Sequence, residues 1–251
     1  MKLKRFVAAA LLVTFGWSAS ASAEDLLVSA ASSLTNGFAE MAAQFQQAHP
    51  GTKVLLSFAG SDTLMTHIVN GMPSDVFASA DQIAMDKAIE VKVVDASKSK
   101  DFIGNELVLI VPGSKRGNIK SLADLGAADV KRIALGNPAM VPAGRYAKVA
   151  LEKAGAWNDV KQREVLGENA RQVLDFVARG EVDAGLVFAT DAATMPDRVK
   201  VVQPLPSPIP LRYFIAPVER QNRHPLAADF VAFVLSDQGQ SILAKHGFSR
   251  R

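Results

Sequence analysis

Four short stretches of this sequence combine small side chains, hydroxyls and helix starts in a way that could hold an anion. They read Ala30-Ala31-Ser32-Ser33-Leu34-Thr35-Asn36, Phe58-Ala59-Gly60-Ser61, Val141-Pro142-Ala143-Gly144 and Glu168-Asn169-Ala170-Arg171. Each lies where a strand pattern gives way to a helix pattern, so each exposes backbone N–H groups without an intrahelical acceptor. Ala, Gly and Ser let a ligand approach that backbone, and Ser33 and Ser61 add hydroxyl donors. The partial positive charge of helix N-termini favours an anion there. These are the parts of an anion site built from dipoles rather than from full charges. Serine is also a preferred N-cap, so each turn taken singly is explained by capping alone. From these residues by themselves, the reading stops at a binder of a small molecule or anion.

Cations are scarce in the same turns. Arg145 and Arg171 fall just inside their helices, and no basic residue lies within three positions of Ser33 or Ser61. A phosphate site often recruits Lys or Arg. A fully deprotonated dianion can instead be held by many neutral donors, and such a shell rejects a protonated anion because the added O–H meets only donors. Asp62 is expected to support the start of the Ser61 helix electrostatically. His67 falls on that helix, but neither it nor His49, His224 or His246 stands at a metal-ligand spacing. Tyr146 and Trp157 read as packing residues.

The elements that must position these turns alternate between strand and helix almost throughout. Leu26–Val28, Val54–Phe58 and Asp75–Ala78 read as strands. Leu34, Phe38, Met41 and Phe45 mark the apolar face of a helix, and further helices are expected at 61–70 and 81–89. This start favours a parallel sheet covered on both faces. Glu106–Val111 is the most apolar strand candidate, stopped by Pro112-Gly113. Alternation then resumes with strands at 132–135, 164–166 and 184–188 and helices at 144–154 and 170–179. The run Pro204-Leu205-Pro206-Ser207-Pro208-Ile209-Pro210 reads as a stiff extended connector, followed by a strand at 211–218 and two closing helices. The expected architecture is α/β with two lobes, residues 24–106 with 214–251 and residues 107–213, linked by two crossing segments over a ligand cleft.

The first residues read as an address. Lys2, Lys4 and Arg5 precede an apolar run from Phe6 to Trp17, and Ala21-Ser22-Ala23 is the small-residue pattern of a signal-peptidase site, so the mature chain is expected to begin at Glu24. The apolar run is too short to span a bilayer, and no later segment is long and apolar enough. Three of the 28 basic residues fall in the leader, leaving 25 against 25 acidic residues, so no electrostatic case for nucleic acid survives. The absence of cysteine excludes disulfides, zinc-thiolate sites, a cysteine nucleophile and a lipid-anchored precursor. An exported, unanchored protein of the periplasm is expected.

The run Gly136-Asn137-Pro138-Ala139-Met140-Val141-Pro142-Ala143-Gly144-Arg145-Tyr146-Ala147 resembles the signature of the periplasmic molybdate-binding proteins. Ala31–Asn36, Ser57–Ser61, Ala78–Asp81, Gly155–Trp157, Val187–Ala192 and His246–Phe248 are similar to that family in the same order. The resemblance implies a two-lobed binding-protein fold with a tetrahedral oxyanion, molybdate or tungstate, between the lobes. It implies that Ser33 and Ser61 donate hydroxyl and backbone N–H groups, and that Ala143 and Ala170 donate backbone N–H groups. At a fifth position many members carry a tyrosine whose hydroxyl reaches the ligand; this chain has Phe188, leaving that donor to Thr190 or a water. The resemblance further implies a monomer without cofactor or enzymatic activity that delivers its ligand to an inner-membrane ABC permease.

Three alternatives stand beside this. A sulfate receptor would use the same neutral donors, whereas phosphate usually carries a proton near neutral pH and needs an acceptor. An exported serine hydrolase would need Ser33 or Ser61 activated, yet neither sits in a G-x-S-x-G elbow. A structural role is disfavoured by the hinge-like layout and the small-residue turns.

Overall fold

The computed structural model describes residues 25–114, 119–205 and 207–250, so the expected leader and its cleavage point lie outside the described residues. Three βα units open the chain: β1 (Leu26–Ala31), α1 (Thr35–Ala48), β2 (Val54–Ala59), α2 (Ser61–Val69), β3 (Val76–Ser79) and α3 (Gln82–Glu90). Burial explains why these segments settle as they do. β1 and β3 are buried almost end to end, as strands covered on both faces must be. α1 turns Phe38, Met41 and Phe45 inward at helical spacing.

The chain then adds β4 (Lys100–Gly104) and β5 (Leu107–Pro112) and builds a second set: β6 (Ile133–Gly136), α4 (Pro142–Lys153), α5 (Trp157–Lys161), β7 (Glu164–Gly167), α6 (Ala170–Ala178), β8 (Ala184–Phe188) and α7 (Ala189–Ala192). It ends with β9 (Val199–Leu205), β10 (Arg212–Pro217), α8 (Ala227–Leu235) and α9 (Asp237–Lys245).

Two five-stranded sheets result, ordered β2-β1-β3-β10-β4 and β7-β6-β8-β5-β9. In each, three parallel strands carry two more on one side, and the inner of these is antiparallel to its neighbours. The sheets are therefore mixed rather than purely parallel. The apolar run at 107–112 and the strand at 212–217 lie inside the sheets, so the chain crosses between sheets in the short segments just before them. β10 begins at Arg212, which places Arg212 and Tyr213 in the first sheet. α8 packs on β10 and α1, and α9 packs on α1. Beneath α1 the rings of Phe38, Phe45, Phe102 and Phe230 meet with centroids 5.2–6.3 Å apart. Each such fully buried side chain contributes ~1.5–3 kcal/mol.

β4 and β9 were not legible as strands. Both are edge strands, and each carries polar or proline residues (Lys100 and Asp101; Lys200, Gln203 and Pro204) that mask a strand pattern. β9 runs to Leu205, so the expected connector is strand at its start.

Candidate functional site

Each predicted donor sits just past the C-terminal end of a parallel strand, where open α/β sheets bind ligands. Ser33 lies in the short 3-10 turn Ser32–Leu34 between β1 and α1, and Ser61 opens α2 after β2. Ala143 is the second residue of α4, Ala170 the first of α6, and Phe188 the last of β8. All five are buried and line one small cavity of about 10 Å³. The first sheet contributes Ala31, Ser32, Ser33, Ala59, Gly60, Ser61 and Ala80 to its wall, and the second contributes Val141, Pro142, Ala143, Ala170 and Phe188. No residue of that wall is charged.

Local chemistry keeps donors available there. Pro142 at the first position of α4 has no N–H, so Ala143 supplies the first amide proton of that helix. Asn169 caps α6 by accepting from the Gln172 N–H at 3.0 Å, which leaves the Ala170 amide without an intrahelical partner. Ser61 Oγ accepts from the Ala80 N–H at 3.0 Å, so its own proton is free to donate. Ser33 Oγ lies 2.9 Å from the Tyr213 hydroxyl.

Two glycines permit this convergence. A Cβ on Gly60 would stand 2.8 Å from the Glu168 carbonyl oxygen, so backbone from the two sheets meets directly across the cleft. A Cβ on Gly144 would fall 1.9 Å from the Gly136 carbonyl oxygen, so only glycine lets α4 start so close to the end of β6.

The cations near these turns are turned away and neutralised. Arg145 spans the cleft, with Nε 2.6 Å from Asp81 and Nη2 2.6 Å from Asp62. Burial opposes its charge, but the Asp81 and Asp62 carboxylates outweigh burial and hold the guanidinium above its ordinary pKa. Asp62 lies in the first turn of α2, where it was expected to support the helix start, and it also pairs with Arg145 and with Lys87, each at 2.6 Å. Arg171 pairs with the fully buried Asp191, and its Nη2 donates across the cleft to Asn36 Oδ1 at 2.9 Å. Burial pushes the Asp191 carboxyl up to about 6 against the pull of Arg171. Burial, with Asp81 adding, pushes the Tyr146 hydroxyl up to about 12.

Other candidates are placed elsewhere. Thr190 is not part of the wall; its Oγ1 accepts from Asn105 Nδ2 at 2.9 Å. His67 lines a separate groove with Thr63, Asn137 and Glu168. Tyr146 packs on Phe188 with ring centroids 6.3 Å apart, and Lys148 stands over the Trp157 ring. A larger groove of about 800 Å³ runs past Ile83, Val149, Ile209 and Phe214. Its size does not make it the better site. Arg145 and Arg212 in its wall are already paired, with Asp81 and with Asp101, and the remaining lining is largely apolar. Neither Ser33 nor Ser61 is bonded to a base, and no histidine lines the cavity, so nothing supports the hydrolase alternative. Reasoning from the sequence missed Asn105, Tyr213 and the bridging role of Arg145.

Two mixed α/β sheets with neutral donors converging between them define a two-lobed solute-binding protein. Residues 26–249 match the bacterial extracellular solute-binding protein family, and the chain belongs to it. It is 36% identical to the molybdate-binding protein ModA of Escherichia coli (strain K12), over 98% of this chain and 97% of that one. A periplasmic molybdate-binding protein of Azotobacter vinelandii superposes with a TM-score of 0.78 at 20% identity, covering 90% of this chain and 99% of that one. The sulfate-binding protein SubI of Mycobacterium tuberculosis superposes with 0.79 at 15% identity, covering 90% and 86%. At these identities the two structures establish the fold alone. The sequence relative is a binding protein rather than an enzyme.

Proposed function

We propose that this chain captures molybdate, and with it tungstate, in the cavity between its sheets and delivers it from the periplasm to an inner-membrane ABC permease. The observation that carries the reading is the convergence of Ser33, Ser61, Ala143, Ala170 and Phe188 on one uncharged wall. The similarity to ModA over nearly the whole chain supports the choice of ligand. Ser33 and Ser61 donate hydroxyl and amide protons to the oxyanion, and Ala143 and Ala170 donate amides. The lobes are residues 24–106 with 212–251 and residues 107–211, the second boundary moved from the expected 213/214 so that β10 stays whole. The ligand meets one lobe, the other rotates onto it, and its differential affinity shifts the open–closed equilibrium. Arg145 and Arg171 join the lobes in the closed form. The protein acts as a monomer.

Phe188 closes the wall without a donor. A hydrogen bond to a charged group contributes ~1.5–3 kcal/mol, so restoring a hydroxyl by Phe188→Tyr should tighten molybdate binding by roughly ten- to a hundredfold. Unchanged or weaker affinity in a calorimetric titration removes position 188 from the donor set.

Thermal melting tests the reading itself. A ligand at about a hundredfold excess over its Kd stabilises by ~2.7 kcal/mol, or about 5–10 °C in Tm for a chain of this size. Molybdate and tungstate should produce that rise, with sulfate and phosphate producing little. A rise with sulfate alone would make the chain a sulfate receptor and overturn the assignment.

A further inference from the structure

Ser33 is held from behind by a chain of hydrogen bonds whose direction can be read from its fixed end. The Glu106 N–H donates to Asn105 Oδ1 at 2.8 Å, which orients the amide. Asn105 Nδ2 then donates to Thr190 Oγ1 at 2.9 Å and to the Tyr213 hydroxyl oxygen at 3.0 Å, using both of its protons. Tyr213 is wholly buried, and burial, with the nearby Asp191 charge adding, pushes its pKa well above the ordinary value, so the phenol keeps its proton. A buried phenol proton needs an acceptor. With Asn105 acting as a donor, the remaining partner of the Tyr213 hydroxyl among the described residues is Ser33 Oγ, at 2.9 Å. Tyr213 therefore donates to Ser33, and the Ser33 proton is left to point elsewhere. Ser61 is set the same way by a simpler device, the Ala80 N–H donating to its Oγ.

We propose that Asn105 and Tyr213 are positioning residues that fix Ser33 as an obligate donor toward the cavity, and so make the site select a fully deprotonated oxyanion over a protonated one. The proposal rests on the oxyanion reading above. Neither residue touches the ligand; both act through Ser33. Asn105 stands between β4 and β5, where the chain passes from one sheet to the other, and Thr190 belongs to α7 on the second sheet. The relay is thus tied to both lobes.

The test is a double-mutant cycle by calorimetric titration of the whole protein with molybdate and, in parallel, phosphate near neutral pH. Ser33→Ala should weaken molybdate binding about tenfold or more, and Tyr213→Phe, which keeps the ring, about three- to tenfold. The double variant should bind within about twofold of Ser33→Ala alone, because Tyr213 works only through that hydroxyl. Tyr213→Phe should also narrow the preference for molybdate over phosphate, since a freed Ser33 hydroxyl can turn to accept from a protonated anion. Losses that add in the double variant, or an unchanged preference, overturn the relay. If Tyr213→Phe does not fold, Asn105→Ala replaces it in the same cycle with the same expectation. No molybdate binding by the unaltered protein would sink the oxyanion reading and the relay with it. Binding that is present but insensitive to Tyr213→Phe would sink the relay alone.

Discussion

Ser61 shows how one contact sets a residue's role. Its Oγ accepts from a buried backbone N–H, so its own proton is free to donate. Ser61→Ala should lower molybdate affinity by about ten- to a hundredfold. It should also destabilise the free protein by ~1–3 kcal/mol, because the Ala80 N–H loses its acceptor. Melting and titration together separate the two effects, and a loss of stability without a loss of affinity would place Ser61 outside the donor set. Asp191 gives a pH signature. Burial raises its folded pKa to about 6, above the ordinary carboxylate value, so the folded state holds the proton more tightly than the unfolded one. The stability this group contributes is fully present below about pH 4 and is lost as pH rises through about 6. Asp191→Asn should remove that slope from a plot of Tm against pH, and an unchanged slope would assign it to other groups. The turns that line the cavity were legible in the sequence because helix starts and small residues mark them locally. Tyr213, Asn105 and the partners of Arg145 were not, because the contacts that define them join residues 180, 108 and 64 positions apart.

The elements meet across the cleft through backbone, and Gly60 is where that shows. A methyl group there would press on the Glu168 carbonyl at 2.8 Å. Gly60→Ala should therefore hold the lobes slightly open and weaken molybdate binding about tenfold, while the melting temperature without ligand changes little, because the substitution touches a surface that only closure brings together. A drop in ligand-free Tm with unchanged affinity would instead make Gly60 a packing glycine of its own lobe. Most elements were legible from alternation and apolar spacing. The buried parallel strands and α1 carry strong patterns, whereas β4 and β9 are edges whose exposed sides admit Lys100, Asp101 and Gln203.

At the scale of the molecule, the two sheets share one strand arrangement, and the cavity lies between them. The sequence could suggest two α/β units. It could not show that both sheets take an antiparallel strand next to the third parallel one, because strand order depends on pairings distant in sequence. Closure over the ligand predicts a smaller radius of gyration in solution scattering when molybdate is added, and no compaction would contradict capture by closure. The central claim is tested most directly by calorimetric titration of the chain from Glu24 onward with molybdate, tungstate, sulfate and phosphate in parallel. Saturable one-to-one binding of molybdate and tungstate, with little heat from phosphate or sulfate, is the predicted result. The absence of saturable binding by either metal oxyanion would contradict it.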